Sequence, residues 1–260
     1  MSGFDDQVVL VTGAGRGLGA AYARAFAERG ATVVVHDAGL ALDGSGGDRS
    51  VADAVAAEIG GVASYEDLRD ADACAALVVR TVDAFGRIDA IVHNAGLLAV
   101  EPLEEADGHW DDVVRSTLDA AFHVTRAAWP AMKAQQYGRL VFTTSSRAMV
   151  PRESVAGFAA YAASRMGAFG LMLAVGAEGA PHGIRANAIS PVVTGTRTST
   201  RAADPALTPE RVAPAVVHLA SADCAVSGVV VHAEGDSFRT VAWVDGAPLQ
   251  FDREGVVTTR

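Results

Sequence analysis

Cysteine is nearly absent: the 260 residues hold two, Cys74 and Cys224, 150 positions apart, with no CxxC and no histidine at metal-ligand spacing beside either. That excludes a disulfide framework, and the expected state is a pair of buried free thiols in a reducing cytoplasm. Aromatic residues are scarce at 6%, against 50% hydrophobic and 20% charged residues. Such an aliphatic composition excludes disorder, collagen-like repeats and a coiled coil. Basic residues are outnumbered, 21 Lys and Arg against 31 Asp and Glu, and the net charge of −10 repels phosphate backbones and anionic lipid surfaces. Neither nucleic acid nor a membrane is therefore expected as a partner. No apolar run approaches the roughly 18 residues of a membrane span, and Asp5 and Asp6 stand where a signal peptide carries Lys or Arg. A soluble, cytoplasmic protein is expected. The seven histidines form no HExxH or related spacing, so no metal site is expected. A GxSxG elbow and a Walker lysine motif are also missing, which removes the residues of hydrolase and NTPase chemistry.

What is present is an alternation. Short aliphatic runs recur at Val8–Val11, Thr32–Val35, Ile88–Val92, Leu140–Thr143, Ile184–Ile189 and Val229–Val231, the pattern of strands buried on both faces. Helix-period stretches separate them, at Leu18–Phe26, Ala71–Phe85, Asp107–Ala134, Phe158–Glu178 and Pro209–Ala220. The order predicts a single α/β domain over 1–260, a three-layer, doubly wound parallel sheet of Rossmann type. Ala38–Asp48, rich in Gly, Asp and Ser, reads as a surface loop. Residues 236–260 lose the rhythm and read as a C-terminal tail packed on a neighbour or on the pocket.

Directly after the first strand, Thr12-Gly-Ala-Gly-Arg-Gly-Leu-Gly19 opens a helix. Gly13, Gly15, Gly17 and Gly19, with Arg16 and Leu18 between them, allow a tight turn whose bare amides approach a pyrophosphate at a helix N-terminus. Asp37 closes the second strand 20 residues beyond Gly17, where a carboxylate binds the adenosine ribose and repels a 2′-phosphate. NAD is therefore expected over NADP, although Arg16 pulls toward a 2′-phosphate.

Further along come Asn94-Ala95-Gly96 after the fourth strand, Ser145-Ser146 after the fifth, and Tyr161-Ala-Ala-Ser-Arg165. With Thr12–Gly19, their joint order resembles the short-chain dehydrogenase/reductase family over about residues 4–245. Within it, the nucleotide-binding and helical parts look like the (3R)-hydroxyacyl-CoA dehydrogenase domain of multifunctional β-oxidation enzymes. The resemblance implies that Tyr161 is the general acid/base and Ser146 holds the substrate oxygen, with Ser145 as an alternative because two extra residues lie between Ser146 and Tyr161. A phenol ionises near pH 10, so that role needs a neighbouring cation. The family Lys that supplies it is Arg165 here, and the Asn that completes the tetrad is Thr117. Val192, after Pro191, stands where many members have Gly. Asp67-Leu68 resembles the adenine-contacting pair, and Asn94, Ala95, Gly96, Tyr161, Arg165, Pro191 and Thr194 are the remaining implied cofactor contacts.

The implied activity is NAD(H)-dependent interconversion of a secondary alcohol and a ketone, on a hydroxyacyl thioester or a steroid-like apolar small molecule. The alternative is a nucleotide-binding relative whose altered tetrad, Arg165 and Thr117, has lost redox chemistry and which binds a ligand or performs non-redox chemistry; an Arg165 that is merely a solvated helix residue would leave the redox site dead. A homodimer or homotetramer is implied as well.

Overall fold

Alternate side chains of a strand point to opposite faces, and β1 (Val8–Thr12) is buried at every position because both faces are covered. Val9 and Val11 join one apolar cluster; Val8 and Leu10 join another. The computed structural model describes residues 3–41, 43–149, 155–196, 202–244, 250–251 and 257–258. Its sheet takes β2 (Thr32–His36), β3 (Val62–Ser64), β4 (Ala90–His93), β5 (Gly138–Thr143), β6 (Ile184–Val192), β7 (Val230–Glu234) and β8 (Ser237–Val241) in the order β3-β2-β1-β4-β5-β6-β7-β8. All pairs are parallel except β7 with β8. The first cluster lies under α1 (Gly17–Ala27), α2 (Ser50–Ile59) and α8 (Pro209–Ala220). The second lies under α3 (Ala71–Phe85), α5 (Ala120–Gln135) and α7 (Ala159–Gly179). This is the expected three-layer, doubly wound single domain, with the order reversing between β1 and β4.

Three readings change. The helix α2 follows the Gly-rich loop, and its apolar stripe, Ala52, Val55 and Ala56, is too short to stand out from the sequence. The stretch expected as one helix over Asp107–Ala134 is broken into a 3₁₀ turn (Leu103–Gly108), α4 (Trp110–Val114), a π turn (Arg115–Asp119) and α5. Part of the expected tail, β8, instead pairs antiparallel with β7 as the eighth strand, with Val230 opposite Val241. Beyond it, Trp243 packs on Phe169 of α7 with ring centroids 4.5 Å apart.

Candidate active site

The reversal of strand order leaves a crevice at the carboxyl ends of β1 and β4, and side-chain latches hold its floor. Thr12 Oγ1 accepts the amides of Asn94 and Ala95, each at 3.1 Å, and the Asn94 side-chain amide donates to the carbonyls of Thr12 and Gly13 at the same distance. These bonds fix the glycine turn against the end of β4. Gly13 and Gly17 take φ of 65° and 52°, where a side chain is strained. Gly13, Arg16, Gly17 and Leu18 line the crevice. Gly15 and Gly19 do not; a Cβ on Gly19 would strike the Gly13 carbonyl, and one on Gly15 would strike Val51. Gly19 thus lets α1 close on the turn, and Gly15 lets α2 pack against it.

Asp37, at the end of β2, accepts from the Gly15 amide at 3.0 Å and the Gly39 amide at 2.8 Å, which aims its carboxylate into the crevice with lone pairs to spare. Beyond it, Arg69 donates to both Asp67 oxygens and to Asp112. Its hydrogen bonds hold the Asp67 carboxyl below the usual carboxylate range. Leu68 is buried beside them and also lines the crevice.

Two buried histidines end the strands on either side of β1. His36 Nε2 lies 2.8 Å from the Glu66 carbonyl, which only accepts, so that nitrogen carries the proton. His93 stacks on Phe142, with centroids 4.7 Å apart, and meets Thr125 Oγ1. Burial pushes His36 down to about 4 and His93 to about 3. Above the ordinary pKa of about 6.5 both states are neutral; below it the unfolded chain takes up protons that the folded chain refuses. Stability should therefore fall as pH drops from about 6.5, by up to roughly 1.4 kcal/mol per pH unit for each histidine. Urea unfolding at pH 7, 6 and 5 measures it, and a pH-independent midpoint over that span refutes the expectation.

At the opposite end stand Ser145 and Ser146, after β5, and Tyr161 and Arg165, one turn apart on α7. Arg165 is 7% exposed, so it is not a solvated helix residue. Its Nη1 donates to the Thr143 carbonyl at 2.9 Å, and its Cζ lies 5.4 Å from the centre of the Tyr161 ring. Thr144 Oγ1 donates to the Arg165 carbonyl and ties α7 to β5. Thr117 is buried in the π turn, behind Gly96: a Cβ on Gly96 would lie 2.6 Å from Thr117 Oγ1 and 2.9 Å from Arg165 Nη2. Only a glycine leaves both groups room. Thr117 Oγ1, Thr143 Oγ1 and Arg165 Nε are buried with no partner, a polar nest that awaits hydrogen-bonding groups.

Pro191 and Val192 line the crevice, but Thr194 does not: its hydroxyl turns to Asp204, accepting that amide at 2.7 Å, and Thr196 occupies the wall instead. The whole crevice encloses about 300 Å³. Bare glycine amides at a helix N-terminus, a carboxylate at the end of β2 and unpartnered donors at the far end form a donor set that fits a dinucleotide. Sequence reading counted Thr12 in the glycine motif without its latching role, and missed Arg147, Phe158 and Thr196 as site residues. Thr12 carried a signal, being the polar residue that ends an apolar strand; Arg147 in a four-residue helix, Phe158 at the cap of α7 and Thr196 in a loop lie where no periodicity marks the inward face. Among the described residues no cluster of His, Cys, Asp and Glu could hold a metal, and no helix is long and apolar enough to cross a membrane.

The family model described as short chain dehydrogenase matches residues 7–206. A Mycobacterium tuberculosis protein named as a short-chain type dehydrogenase/reductase is 38% identical over 97% of this chain and 91% of its own length. Mouse peroxisomal multifunctional enzyme type 2 is 43% identical over 86% of this chain, which spans only 31% of that protein. The crystal structure of a short chain dehydrogenase from Mycobacterium avium superposes with a TM-score of 0.83 at 34% identity, over 96% of this chain and 89% of that one.

Proposed function

The chain belongs to the short chain dehydrogenase family, and from that premise we propose that it interconverts a secondary alcohol and a ketone with NAD as hydride carrier. The observation that carries the reading is one crevice with Asp37 and the glycine turn at one end and Ser146, Tyr161 and Arg165 at the other. When bound there, NAD supplies the acceptor for the hydride that leaves the carbinol carbon. The chain's own residues handle the rest. The Tyr161 oxygen, as phenolate, takes the carbinol proton in oxidation and, as phenol, gives it back in reduction, so alcohol and NAD give ketone, NADH and one proton that passes on to solvent. Ser146 steadies the substrate oxygen as charge develops on it, and the fixed charge of Arg165 favours the anionic side of the proton transfer. Arg165, Asn94 and the glycine turn would hold the cofactor, with Asp37 on its adenosine ribose. A 2′-phosphate there would meet the Asp37 carboxylate, which supports NAD over NADP.

The substrate end is walled by Leu97, Leu98, Phe158, Val192 and Val193, which suits an apolar chain such as that of a hydroxyacyl thioester or a steroid-like alcohol. A cytoplasmic setting suits the two buried free thiols. NADH or NADPH formation, followed by absorbance over a panel of hydroxyacyl and steroid alcohols, tests the reading. Turnover with NAD well above that with NADP supports it. Binding of NAD without turnover of any alcohol overturns it and leaves a nucleotide-binding protein with no redox step.

A homodimer or homotetramer is part of the same proposal, since Trp110 of α4, Phe122 of α5 and Leu173 of α7 are each more than 40% exposed and large exposed apolar groups call for a cover. Sedimentation should give a species of at least twice the chain mass, and a monomer at micromolar concentration refutes it.

A further inference from the structure

Arg147 lines the crevice one residue after Ser146, at the start of the short helix α6 (Ser146–Met149). Its guanidinium stands 4.8 Å over the Phe158 ring, and that ring meets Tyr161 edge-on with centroids 6.1 Å apart. The cation is thus one aromatic ring away from the phenol. Among the described residues Arg147 forms no ion pair, and neither do Arg16 and Arg165, the other two arginines that line the crevice. The carboxylates that line the crevice, Asp37 and Asp67, follow β2 and β3, across β1 and β4 from Arg147. The reacting end therefore carries two guanidiniums, Arg147 and Arg165, and no carboxylate among the described residues. Arg165 is buried, with its Nη1 committed to the Thr143 carbonyl, whereas Arg147 is only half-buried and stacked on Phe158. In a chain of net charge −10, a half-buried cation with no counter-ion among the described residues makes this end of the crevice favourable for an anion.

We infer that Arg147 binds an anionic group carried by the substrate itself, within a few bonds of its reacting carbinol, so that the preferred substrate is a hydroxy acid or its oxo acid. The aromatic stack holds the guanidinium in place, and the fork of donors suits a carboxylate held by two hydrogen bonds. The phosphates of a coenzyme A thioester lie a full pantetheine arm from the carbinol, too far for a side chain one residue from Ser146. The inference rests on the dehydrogenase reading and narrows its substrate class from apolar alcohols to acids with an apolar chain.

The test compares (R)-3-hydroxyoctanoate, its methyl ester and its coenzyme A thioester, with NAD, on the wild type, Arg147→Ala and Arg147→Lys. The free acid should give the highest kcat/KM. Arg147→Ala should lower that value roughly ten- to a hundredfold, the range for a charge-assisted hydrogen bond. It should act through KM and leave the ester unchanged, and Arg147→Lys should recover part of the loss. Equal losses for acid and ester, or a preference for either neutral acyl form that Arg147→Ala does not alter, overturn the inference while the dehydrogenase reading stands. If none of the three yields NADH, the dehydrogenase reading is decided by the wider alcohol panel. Calorimetric titration of the acid onto NADH-saturated protein then decides the anion site, and acid binding that is absent or indifferent to Arg147→Ala overturns it.

Discussion

Tyr161→Phe is expected to lower kcat by about a hundred- to ten-thousandfold, the contribution of a placed general acid/base, while NAD binding stays nearly unchanged. Phenylalanine keeps the ring, and with it the edge contact to Phe158 and the place over Arg165. Only the hydroxyl is removed, and in the proposed reaction that oxygen acts in the chemical step alone. Matched single-turnover rates and cofactor titrations of both proteins measure the two quantities separately. An unchanged rate would mean that the proton passes elsewhere, and a parallel loss of NAD affinity would mean that the phenol binds cofactor rather than acting on the carbinol.

The second large effect belongs to Arg165, whose replacement separates charge from shape. Arg165→Ala removes a buried guanidinium, leaves the Thr143 carbonyl without its Nη1 donor, and takes away the cation beside Tyr161. With the cation gone, the anionic side of the proton transfer loses a favourable charge, and a loss of roughly a hundredfold in kcat is expected. Arg165→Lys should do the reverse. An ammonium gathers three donors at one point and can keep Thr143 while facing the crevice. It also abolishes the buried Nε–H that Arg165 leaves without an acceptor. A several-fold rise in kcat, with thermal stability at or above that of the wild type, is the expected result. A fall in both would show that the guanidinium, with its planar head, is itself required at this position.

Much of this arrangement was legible in the sequence because it is local. Strands buried on both faces must be continuously aliphatic, as Val8–Val11 and Leu140–Thr143 are, whatever they pack against. A strand-to-helix turn that presents bare amides must be rich in glycine, and the four-residue step from Tyr161 to Arg165 puts both side chains on one helix face in any context. Asp37 declared itself by its distance from that turn. What the sequence could not decide depended on which distant elements meet. Thr194 and Thr196 are two residues apart in one loop, and only the bond from Asp204 turns the first inward and leaves the second on the wall. Thr117 is a buried residue of a π turn rather than of a regular helix, and its neighbours are Gly96 of another loop and Arg165 of another helix. Whether Arg165 met solvent or Thr143 was set by the approach of α7 to β5, and Arg147 faces the crevice because Phe158, eleven residues on, returns to support it. Periodicity records the face an element buries, but a side chain's partner is chosen by packing between segments far apart in the chain, and that choice leaves no mark on local sequence.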